Sequence, residues 1–420
     1  MAINTETFAK NTQINGAKGI GGQSPQQALA LLSDMTQGVA PISLAEYQAR
    51  IAHAQTLMQQ HSIDAIYLNA GTNLYYFTGT QWYASERMVG AILPAHGELQ
   101  YIAPAFELDT LEGYMVIKGK VNTWHEDESP YELVSKVLTD MMPNKDITLG
   151  IDESAAFFVA NGIAKAAPSM QLEDAKAITA GCRMIKSANE LAIIQRAMDM
   201  TLVVHKAVAS ILHEGITTAQ VTAFIDEAHR KVGATTGSFF CIVLFGEDSA
   251  YPHGVKSPKS LAINDTVLID TGCELFGYKS DITRTYVFGE PSDRQRQLWQ
   301  LEQQAQLAAF DAAIVGLACG EVDTAARNVL VEAGFGPGYD IPGLPHRTGH
   351  GIGLDIHEWP YLVKSDTTPL AAGMCFSNEP MLCVPGEFGV RHEDHFYMTN
   401  DGAKWFTQPA LSIDDPFGNV

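Results

Sequence analysis

The chain has 420 residues, of which 46% are hydrophobic and 18% charged, and its formal net charge is −21 at pH 7. A chain of this length exceeds what one hydrophobic core usually fills, so we expect two domains. The negative charge repels phosphate backbones and anionic lipid, which excludes nucleic acid and membrane surfaces from the expected partners.

Cysteine usage and hydropathy bear on the location of the protein. Six cysteines are scattered without a CxxC pair, so we expect buried thiols in a reducing compartment rather than a zinc site. No early segment has the basic start, apolar run and cleavage site of a signal peptide. No window approaches the roughly 20 apolar residues of a membrane span. These features predict a cytoplasmic protein.

The first part of the chain predicts an N-terminal arm followed by an α/β domain. Residues 1–40 are polar and contain NGAKGIGGQSPQQ, but no strand precedes these glycines and no GK[ST] follows, so an arm is favoured over a phosphate loop. From Ser43, SLAEYQARIAHAQTLMQQHSID predicts a helix, and AIYLNAGTNLYYFTG predicts a short strand and a turn. MVGAILP and ELQYIAP predict two strands joined by a His-Gly turn. The helix SPYELVSKVLTDMM and the strand ITLGIDE complete a domain over residues 41–180.

The remaining residues, 181–420, predict a second domain with two similar halves. Two helical segments, CRMIKSANELAIIQRAMDMTLVVHKAVASIL and TAQVTAFIDEAHRKVG, precede several strands. After Pro291, two more helical segments, DRQRQLWQLEQQAQLAAFDAAIV and GEVDTAARNVLVEAGF, again precede strands. The repeated order indicates two halves of similar architecture, although the sequences of the halves do not repeat.

Four acidic residues stand in segments of the second domain where a strand should be apolar. They are Asp270 in TVLIDTG, Asp281 in KSDITRTYVFG, Glu379 in GMCFSNEPML and Glu393 in GVRHEDHFYMT. Ionised carboxylates buried together would repel one another strongly. A pair of divalent cations would relieve that repulsion, because carboxylates can bridge two ions. Each acid taken alone could instead be a solvated group at a strand end.

The segment HRTGHGIGLDIHEWP, residues 346–360, supplies the imidazoles that such a site needs. It contains three histidines and three glycines, and six of the 13 histidines lie between residues 253 and 395 with the four acids. His350 is the natural metal ligand, because the glycines around it let the backbone approach closely. If GVRHEDHFYMT is one strand, alternation places Arg391, Glu393 and His395 on the same face.

This second domain resembles the catalytic domain of the creatinase/aminopeptidase, or pita-bread, metallopeptidases over residues 180–410. HRTGHGIGLDIHE fits the proline-peptidase signature of that family, and the ordered ligand set Asp, Asp, His, Glu, Glu is complete. The first domain resembles the one shared by proline dipeptidases, aminopeptidase P and creatinase, which methionine aminopeptidases lack. The resemblance implies a creatinase-like α/β N-terminal domain followed by an α+β pita-bread catalytic domain.

The resemblance also implies two divalent metal ions per chain, held by the five ligand positions. Asp281 and Glu393 would bridge the two ions, and Asp270 would chelate one of them. His350 and Glu379 would complete the second, and Glu379 is the expected general base and proton shuttle. A hydroxide between the ions would attack the scissile carbonyl, since a metal ion lowers the pKa of bound water toward ~7.

Two further histidines match non-ligand positions of the family. His253 in YPHG and His357 in DIHE would hydrogen-bond the substrate and stabilise the developing oxyanion. A structural role beside the ligands is the alternative for both. His346 could line the pocket that accepts proline.

Two positions bear on how a substrate carboxylate could be bound. Many proline dipeptidases carry an arginine soon after HEWP for this purpose, but this chain has Tyr361 there, which we include among the candidate substrate-binding residues. Arg391 is the first candidate to replace the missing cation. It could instead orient Glu393 or form a structural salt bridge.

The resulting prediction is a dinuclear-metal peptidase that cleaves the Xaa-Pro bond of dipeptides or short peptides, as a homodimer by resemblance. Manganese is the first expectation, and cobalt, zinc or iron would also suit the oxygen-rich, single-imidazole ligand set. Hydrolysis of another small amide, such as ectoine, is an open alternative. Creatinase lacks this full ligand set, and the family's dimethylsulfoniopropionate lyase predicts an acid where Gly272 stands. A non-catalytic binding module is the third hypothesis, although such relatives typically lose ligands.

Overall fold

A computed structural model describes residues 17–143 and 145–417 of the chain. It divides into two compact units, Ala40–Ile185 and a larger unit that joins the described part of Met1–Val39 to Lys186–Val420. Helix α1 (Pro25–Ala30) belongs to the larger unit. The backbone N–H groups of Gly21 and Gln23 donate to the carbonyls of Ala209 and Ser210, at 2.9 and 3.0 Å. Residues 1–16 of the predicted arm lie outside the described residues.

The smaller unit is an α/β domain built on one six-stranded sheet. The strand order is β4-β3-β2-β1-β5-β6, in which β2 is antiparallel to both of its neighbours and the other pairs are parallel. The strands are β1 (Ala65–Asn69), β2 (Gly90–Pro94), β3 (Gln100–Pro104), β4 (Lys120–Trp124), β5 (Thr148–Ile151) and β6 (Gln171–Asp174). The helices are α2 (Leu44–His61), α3 (Thr72–Thr78), α4 (Leu108–Tyr114), α5 (Pro130–Met141), α6 (Phe157–Ala166) and α7 (Lys176–Arg183).

Local sequence explains the start of α2 but not the presence of α3. Ser43 and Glu46 form a capping box that satisfies backbone donors at the first turn of α2, as its serine predicts. The prediction of a turn after β1 was wrong, because Thr72–Thr78 is helical. The segment TNLYYFT is rich in residues that favour strands, so local propensity gives no helix signal. Burial of Leu74 and Phe77 stabilises the helix instead.

The larger unit repeats the order helix, helix, strands, as the sequence predicts. Its first half contains α8 (Ala188–Ile211), α9 (Thr218–Val232), β7 (Ser238–Phe245), β8 (Asp265–Leu275), β9 (Tyr278–Lys279) and β10 (Ile282–Phe288). Its second half contains α10 (Asp293–Ala312), α11 (Cys319–Glu332), β11 (Gly349–Gly351), β12 (Glu358–Leu362), β13 (Cys375–Asn378), β14 (Met381–Val384), β15 (Phe388–Arg391), β16 (Asp394–Thr399) and β17 (Gly402–Trp405). Capping boxes at Ser187, Thr217 and Ser292 start α8, α9 and α10.

Three sheets organise these strands. The first half forms β10-β8-β7, with β9 paired to β8, and the second forms β12-β11-β13-β16-β17 and the hairpin β14-β15. An isolated antiparallel bridge between Thr283 and Glu393 links the first half to the second. Residues that lie far apart in sequence therefore meet where the two halves join.

The prediction that GVRHEDHFYMT forms one strand was wrong. β15 ends at Arg391 and β16 begins at Asp394, so the face shared by Arg391, Glu393 and His395 does not follow from simple alternation. Glu393 sits in the interruption, where its backbone N–H donates to the carbonyl of Thr283 at 3.1 Å. The carbonyl of Glu393 accepts from the Arg284 guanidinium at 2.9 Å, which holds the break in place.

No helix within residues 17–143 and 145–417 combines the length and the hydropathy that a bilayer crossing requires.

A buried ion pair fixes the loop that carries His357. Lys186 Nζ lies 2.9 Å from Glu358 Oε2, and the two side chains are 2% and 4% exposed. The other Glu358 oxygen accepts the backbone N–H of Asp355 at 3.1 Å. The glutamate therefore ties the segment after the glycines to the start of α8.

We expect Lys186→Met to lower the free energy of unfolding by about 3 kcal/mol or more, because it leaves the buried Glu358 carboxylate without its cation. Lys18→Met is the matched control, since Lys18 forms an exposed pair with Asp415 that should contribute at most about 1 kcal/mol. Urea titration followed by tryptophan fluorescence measures both values. Equal effects of the two substitutions would contradict this account.

Candidate metal centre

The two aspartates of the predicted ligand set are brought together by one antiparallel strand pair. Asp270 lies within β8 opposite Thr283 of β10, and Asp281 immediately precedes β10. Both aspartates are buried. The ladder between the strands therefore fixes the two carboxylates on neighbouring positions of one surface.

His350 lies at the centre of β11, and hydrogen bonds hold both its backbone and its ring. Its backbone N–H donates to Ser377 Oγ at 2.9 Å, and its Nδ1 lies 3.0 Å from the carbonyl of Gly351. A proton on Nδ1 satisfies that carbonyl and leaves the lone pair of Nε2 free for a cation. Nε2 lies 3.7 Å from Asp281 Oδ2 and 3.0 Å from Glu379 Oε1.

The glycines beside His350 have the role that the sequence predicts. A Cβ at Gly349 would lie 2.0 Å from the carbonyl oxygen of Ser377, and one at Gly351 would lie 2.6 Å from that of Glu358. A Cβ at Gly353 would come within 2.8 Å of the Glu358 carboxylate. Any side chain at these positions would push the flanking strands away from His350.

The two glutamates reach the centre from breaks between strands. Glu379 follows β13, and its backbone N–H donates to the carbonyl of Thr348 at 2.8 Å. Its Oε1 accepts from Ser377 Oγ at 3.1 Å. Glu393 precedes β16, and its Oε2 accepts from Thr283 Oγ1 at 2.7 Å.

Arg391 is engaged with the acidic cluster. Its Nη2 lies 2.5 Å from Asp270 Oδ2, and its Nε donates to Thr283 Oγ1 at 3.1 Å. Thr283 in turn donates to Glu393, so one hydroxyl links the arginine to that glutamate. The guanidinium is the cation that partly balances the acids, and they raise its pKa although its own burial opposes them.

The cluster has the unpaired oxygens that a metal site requires. Among the described residues, Asp270 Oδ1, Asp281 Oδ1 and Glu393 Oε1 are buried without a hydrogen-bond partner. One ligand atom from each of Asp281, His350 and Glu393 lies within 4.8 Å of the others. Oxygen-rich donors with one imidazole suit divalent cations, so these residues fit a metal ion.

Burial and mutual repulsion keep protons on the cluster when no cation is bound. Burial raises the pKa of Asp281 well above its usual range, and the carboxylates of Glu393, Asp270 and Glu379 raise it further. Burial is also the main cause that raises the pKa of Glu393 well above its usual range, and the negative charges of Glu379 and Asp270 raise it further. The pKa of Asp270 is also raised by burial, against the opposing charge of Arg391.

Glu379 differs from the other three acids. Burial would raise its pKa, but the hydrogen bond and charge of His350 lower it below its usual range. The charges of His346 and Arg391 act in the same direction. Glu379 therefore stays ionised where its neighbours hold protons.

One cavity of about 680 Å³ has Asp270, Asp281, His350 and Glu379 in its wall, whereas Glu393 lies behind that wall, within the same cluster as Asp281 and His350. His253, His346 and His357 also line it, and the rings of His350 and His357 lie 4.2 Å apart. Burial, followed by the charge of His350, lowers the pKa of His357 to about 4, so its ring is neutral at pH 7. The apolar part of the wall includes Phe240, Ile242, Pro252, Pro345, Ile356 and Val363.

The structure thus collects nearly all of the predicted site residues around one cavity. Two predicted residues, Glu393 and Tyr361, are absent from the described residues that line the cavity. Glu393 belongs to the cluster with Asp281 and His350, whereas the ring of Tyr361 lies against the guanidinium of Arg347. Arg347, Thr283 and Ser377 were not predicted. Arg347 lies within the motif at residues 346–360, but the sequence gives no signal that its side chain contacts Tyr361.

Comparison with known proteins agrees with this geometry. Residues 192–400 match the model of metallopeptidase family M24, and residues 50–185 match the creatinase/prolidase N-terminal domain. The Xaa-Pro dipeptidase of Pyrococcus furiosus is 30% identical over 87% of this chain and 99% of its own length. A crystal structure of dipeptidase PepE from Mycobacterium ulcerans has a TM-score of 0.80 at 34% identity, covering 88% of this chain and 97% of that one.

The fold and the cluster of ligand-type side chains define a metallopeptidase with a creatinase-like N-terminal domain. The chain belongs to metallopeptidase family M24, which confirms the resemblance to the pita-bread proline peptidases. A crystal structure of prolidase from Thermococcus sibiricus, with a TM-score of 0.77 at 28% identity, covers 86% of this chain and 97% of that one. The predicted fold class is confirmed with it.

Metal binding should release protons, because cations and protons compete for the same oxygens. The raised pKa values of Asp281 and Glu393 mean that the metal-free cluster is still protonated at pH values where ordinary carboxylates are ionised. Affinity for manganese should therefore rise with pH. Calorimetric titration of metal-free protein in two buffers of different ionisation enthalpy should give binding heats that depend on the buffer.

Asp281→Asn provides the comparison for that titration. Losing an outer hydrogen-bond partner of a metal ligand costs about 10–100-fold in affinity, so losing a direct ligand should cost at least that much. The variant should also release fewer protons. Buffer-independent heats in the unsubstituted protein would show that the cluster is already ionised and would contradict the argument from burial.

Proposed function

We propose that the chain is a dinuclear-metal hydrolase that cleaves the Xaa-Pro peptide bond of dipeptides or short peptides. The observation that carries this proposal is the convergence of five ligand-type side chains in one cluster, four of which line one cavity, with buried acidic oxygens that lack partners among the described residues. Relatives named Xaa-Pro dipeptidase and prolidase, aligned over nearly their whole lengths, support the substrate class.

Proline gives a physical reason for a dedicated enzyme. Its ring fixes φ and removes the amide hydrogen, so a peptidase that depends on a hydrogen bond from that N–H binds the residue poorly. The partly apolar wall of the cavity suits a pyrrolidine ring. His346, half-buried beside that wall, is the residue we assign to the proline pocket.

Asp270, Asp281, His350, Glu379 and Glu393 would hold the two cations, with Asp281 and Glu393 shared between them. Cations in this position would lower the pKa of an attacking water and polarise the scissile carbonyl. Glu379 is suited to accept the proton of that water, because its carboxylate is ionised and lines the cavity beside His350. The same carboxyl group could then deliver the proton to the departing nitrogen.

His253 and His357 would bind the carbonyl oxygen of the substrate. A neutral imidazole can donate a hydrogen bond to an oxygen that gains negative charge, and the lowered pKa of His357 keeps it neutral. Arg391 is suited to position Asp270 and Glu393 rather than to bind substrate, because Asp270 and Thr283 already engage its guanidinium. The homodimer and the cytoplasmic location stay predictions.

Another reaction on the same scaffold is the second candidate. Hydrolysis of a small cyclic amide such as ectoine would use the same ligands and the same two histidines. A lyase with an added acid near Asp270 is disfavoured, because a Cβ at Gly272 would lie 1.8 Å from the carbonyl oxygen of Ser280. A non-catalytic binding module is disfavoured by the complete ligand set.

Manganese-loaded protein should release proline from Ala-Pro or cleave Ala-Pro-Ala, and should act far more slowly on Ala-Ala. Cleavage mainly of the tripeptide would indicate an activity like that of aminopeptidase P. Turnover of ectoine without turnover of either proline peptide, at measured metal occupancy, would replace the proposal by the second candidate. Metal content measured on the same samples separates an inactive enzyme from an unloaded one.

His357→Asn should lower kcat by about 10²–10³-fold, as expected for loss of one hydrogen-bond donor to the oxyanion. Because His357 is not assigned as a ligand, metal content should be unchanged. His213→Asn is the matched control at an exposed histidine and should leave kcat unchanged. A loss of bound metal in parallel with kcat would instead identify His357 as part of the metal-holding set.

A further inference from the structure

The cavity has two arginines in its wall, and their surroundings differ. Arg391 is fully buried among acids, with Asp270 at 2.5 Å and Thr283 at 3.1 Å. The positive charge of this guanidinium partly balances the carboxylates that we assign as ligands. A substrate carboxylate would have to compete with Asp270 for it.

Arg347 is the other arginine, and it is available to an anion. Its side chain is half-buried and lines the cavity. Within residues 17–143 and 145–417, no carboxylate lies within ion-pair distance of its guanidinium. Its contact is with the face of Tyr361, where the guanidinium carbon lies 4.2 Å from the ring centroid.

The strand pairing fixes this arrangement. His350 of β11 stands opposite Tyr361 of β12, and the backbone N–H of Thr348 donates to the carbonyl of Leu362 at 3.1 Å. Arg347 therefore enters the ladder one position before Thr348, beside the strand that carries Tyr361. The ring holds the guanidinium by cation–π attraction without neutralising its charge.

The position of Arg347 relative to the chemistry fits a short substrate. Its neighbour His346 and the residue that we assign to the scissile carbonyl, His357, line the same cavity. The guanidinium and that histidine therefore face one substrate-sized space. In a dipeptide, the C-terminal carboxylate is one residue from that carbonyl.

We infer that Arg347, oriented by the ring of Tyr361, binds the C-terminal carboxylate of the substrate and makes this enzyme selective for dipeptides. The inference rests on the proposed proline-peptidase function and adds its substrate class. A planar guanidinium can donate two parallel hydrogen bonds to a carboxylate, which gives both energy and orientation. Tyr361 then has a positioning role.

The test compares Ala-Pro with Ala-Pro amide, which differ in the terminal charge alone. A charged hydrogen bond contributes about 1.5–3 kcal/mol, so the unsubstituted enzyme should have a kcat/KM about 10- to 100-fold higher for the dipeptide than for the amide. Arg347→Met should reduce that ratio to near one, mainly by raising KM for Ala-Pro. Arg347→Lys should restore part of the ratio.

The ratio separates recognition from folding or metal loss, because those defects lower turnover of both substrates together. Tyr361→Leu should lower the ratio while Tyr361→Phe preserves it, since the ring rather than the hydroxyl orients the guanidinium. Arg294→Met is the matched control at an exposed arginine that pairs with Glu387, and it should leave the ratio unchanged.

Two outcomes would overturn the inference. A ratio near one in the unsubstituted enzyme, or an unchanged ratio in Arg347→Met, would show that Arg347 only packs on Tyr361, while cleavage of both substrates would leave the proposed function intact. Failure of the manganese-loaded enzyme to cleave either substrate would reject the proline-peptidase function and this inference with it.

Discussion

Repulsion among buried carboxylates is the constraint on which the larger unit depends. Asp270, Asp281 and Glu393 are buried on one surface, and Glu379 joins them from the neighbouring strand break. Arg391 balances part of this charge, and protons or cations must supply the rest. The fold holds this costly cluster together through the backbone, because Asp270 is paired in the β8–β10 ladder and the N–H groups of Glu379 and Glu393 are hydrogen-bonded to neighbouring segments.

A second polar layer supports the break between β15 and β16 without adding charge to the cluster. Arg284 pairs with Asp394 at 2.7 Å and also holds the carbonyl of Glu393. Nearby, His392 lies 3.3 Å from Glu302. Burial raises the pKa of Glu302 well above its usual range and lowers that of His392 to about 3, so burial opposes a charge on either group.

The acids that meet in this cluster could be picked out from the sequence, because acidic residues are rare in apolar strand segments. The order of elements in the larger unit was predictable for a similar reason, since capping residues and periodicity mark its helices. Helix Thr72–Thr78 and the interruption at Glu393 were not predictable, because burial and the Arg284 contact decide them. The surroundings of Arg347 could not be predicted, because its side chain meets the ring of Tyr361 only when β11 pairs with β12.

The ion pair of Lys186 with Glu358 bears on where the catalytic unit can be separated from the rest of the chain. The family match begins at residue 192, but the lysine that neutralises Glu358 lies six positions earlier, before α8. The backbone N–H of Lys186 also donates to the carbonyl of Gly373 at 2.9 Å. A fragment that starts at the edge of the recognisable domain would retain every proposed metal ligand, yet it would lack the residue that anchors the loop bearing His357. A fragment intended to keep this loop in place should therefore begin before Lys186 rather than at residue 192.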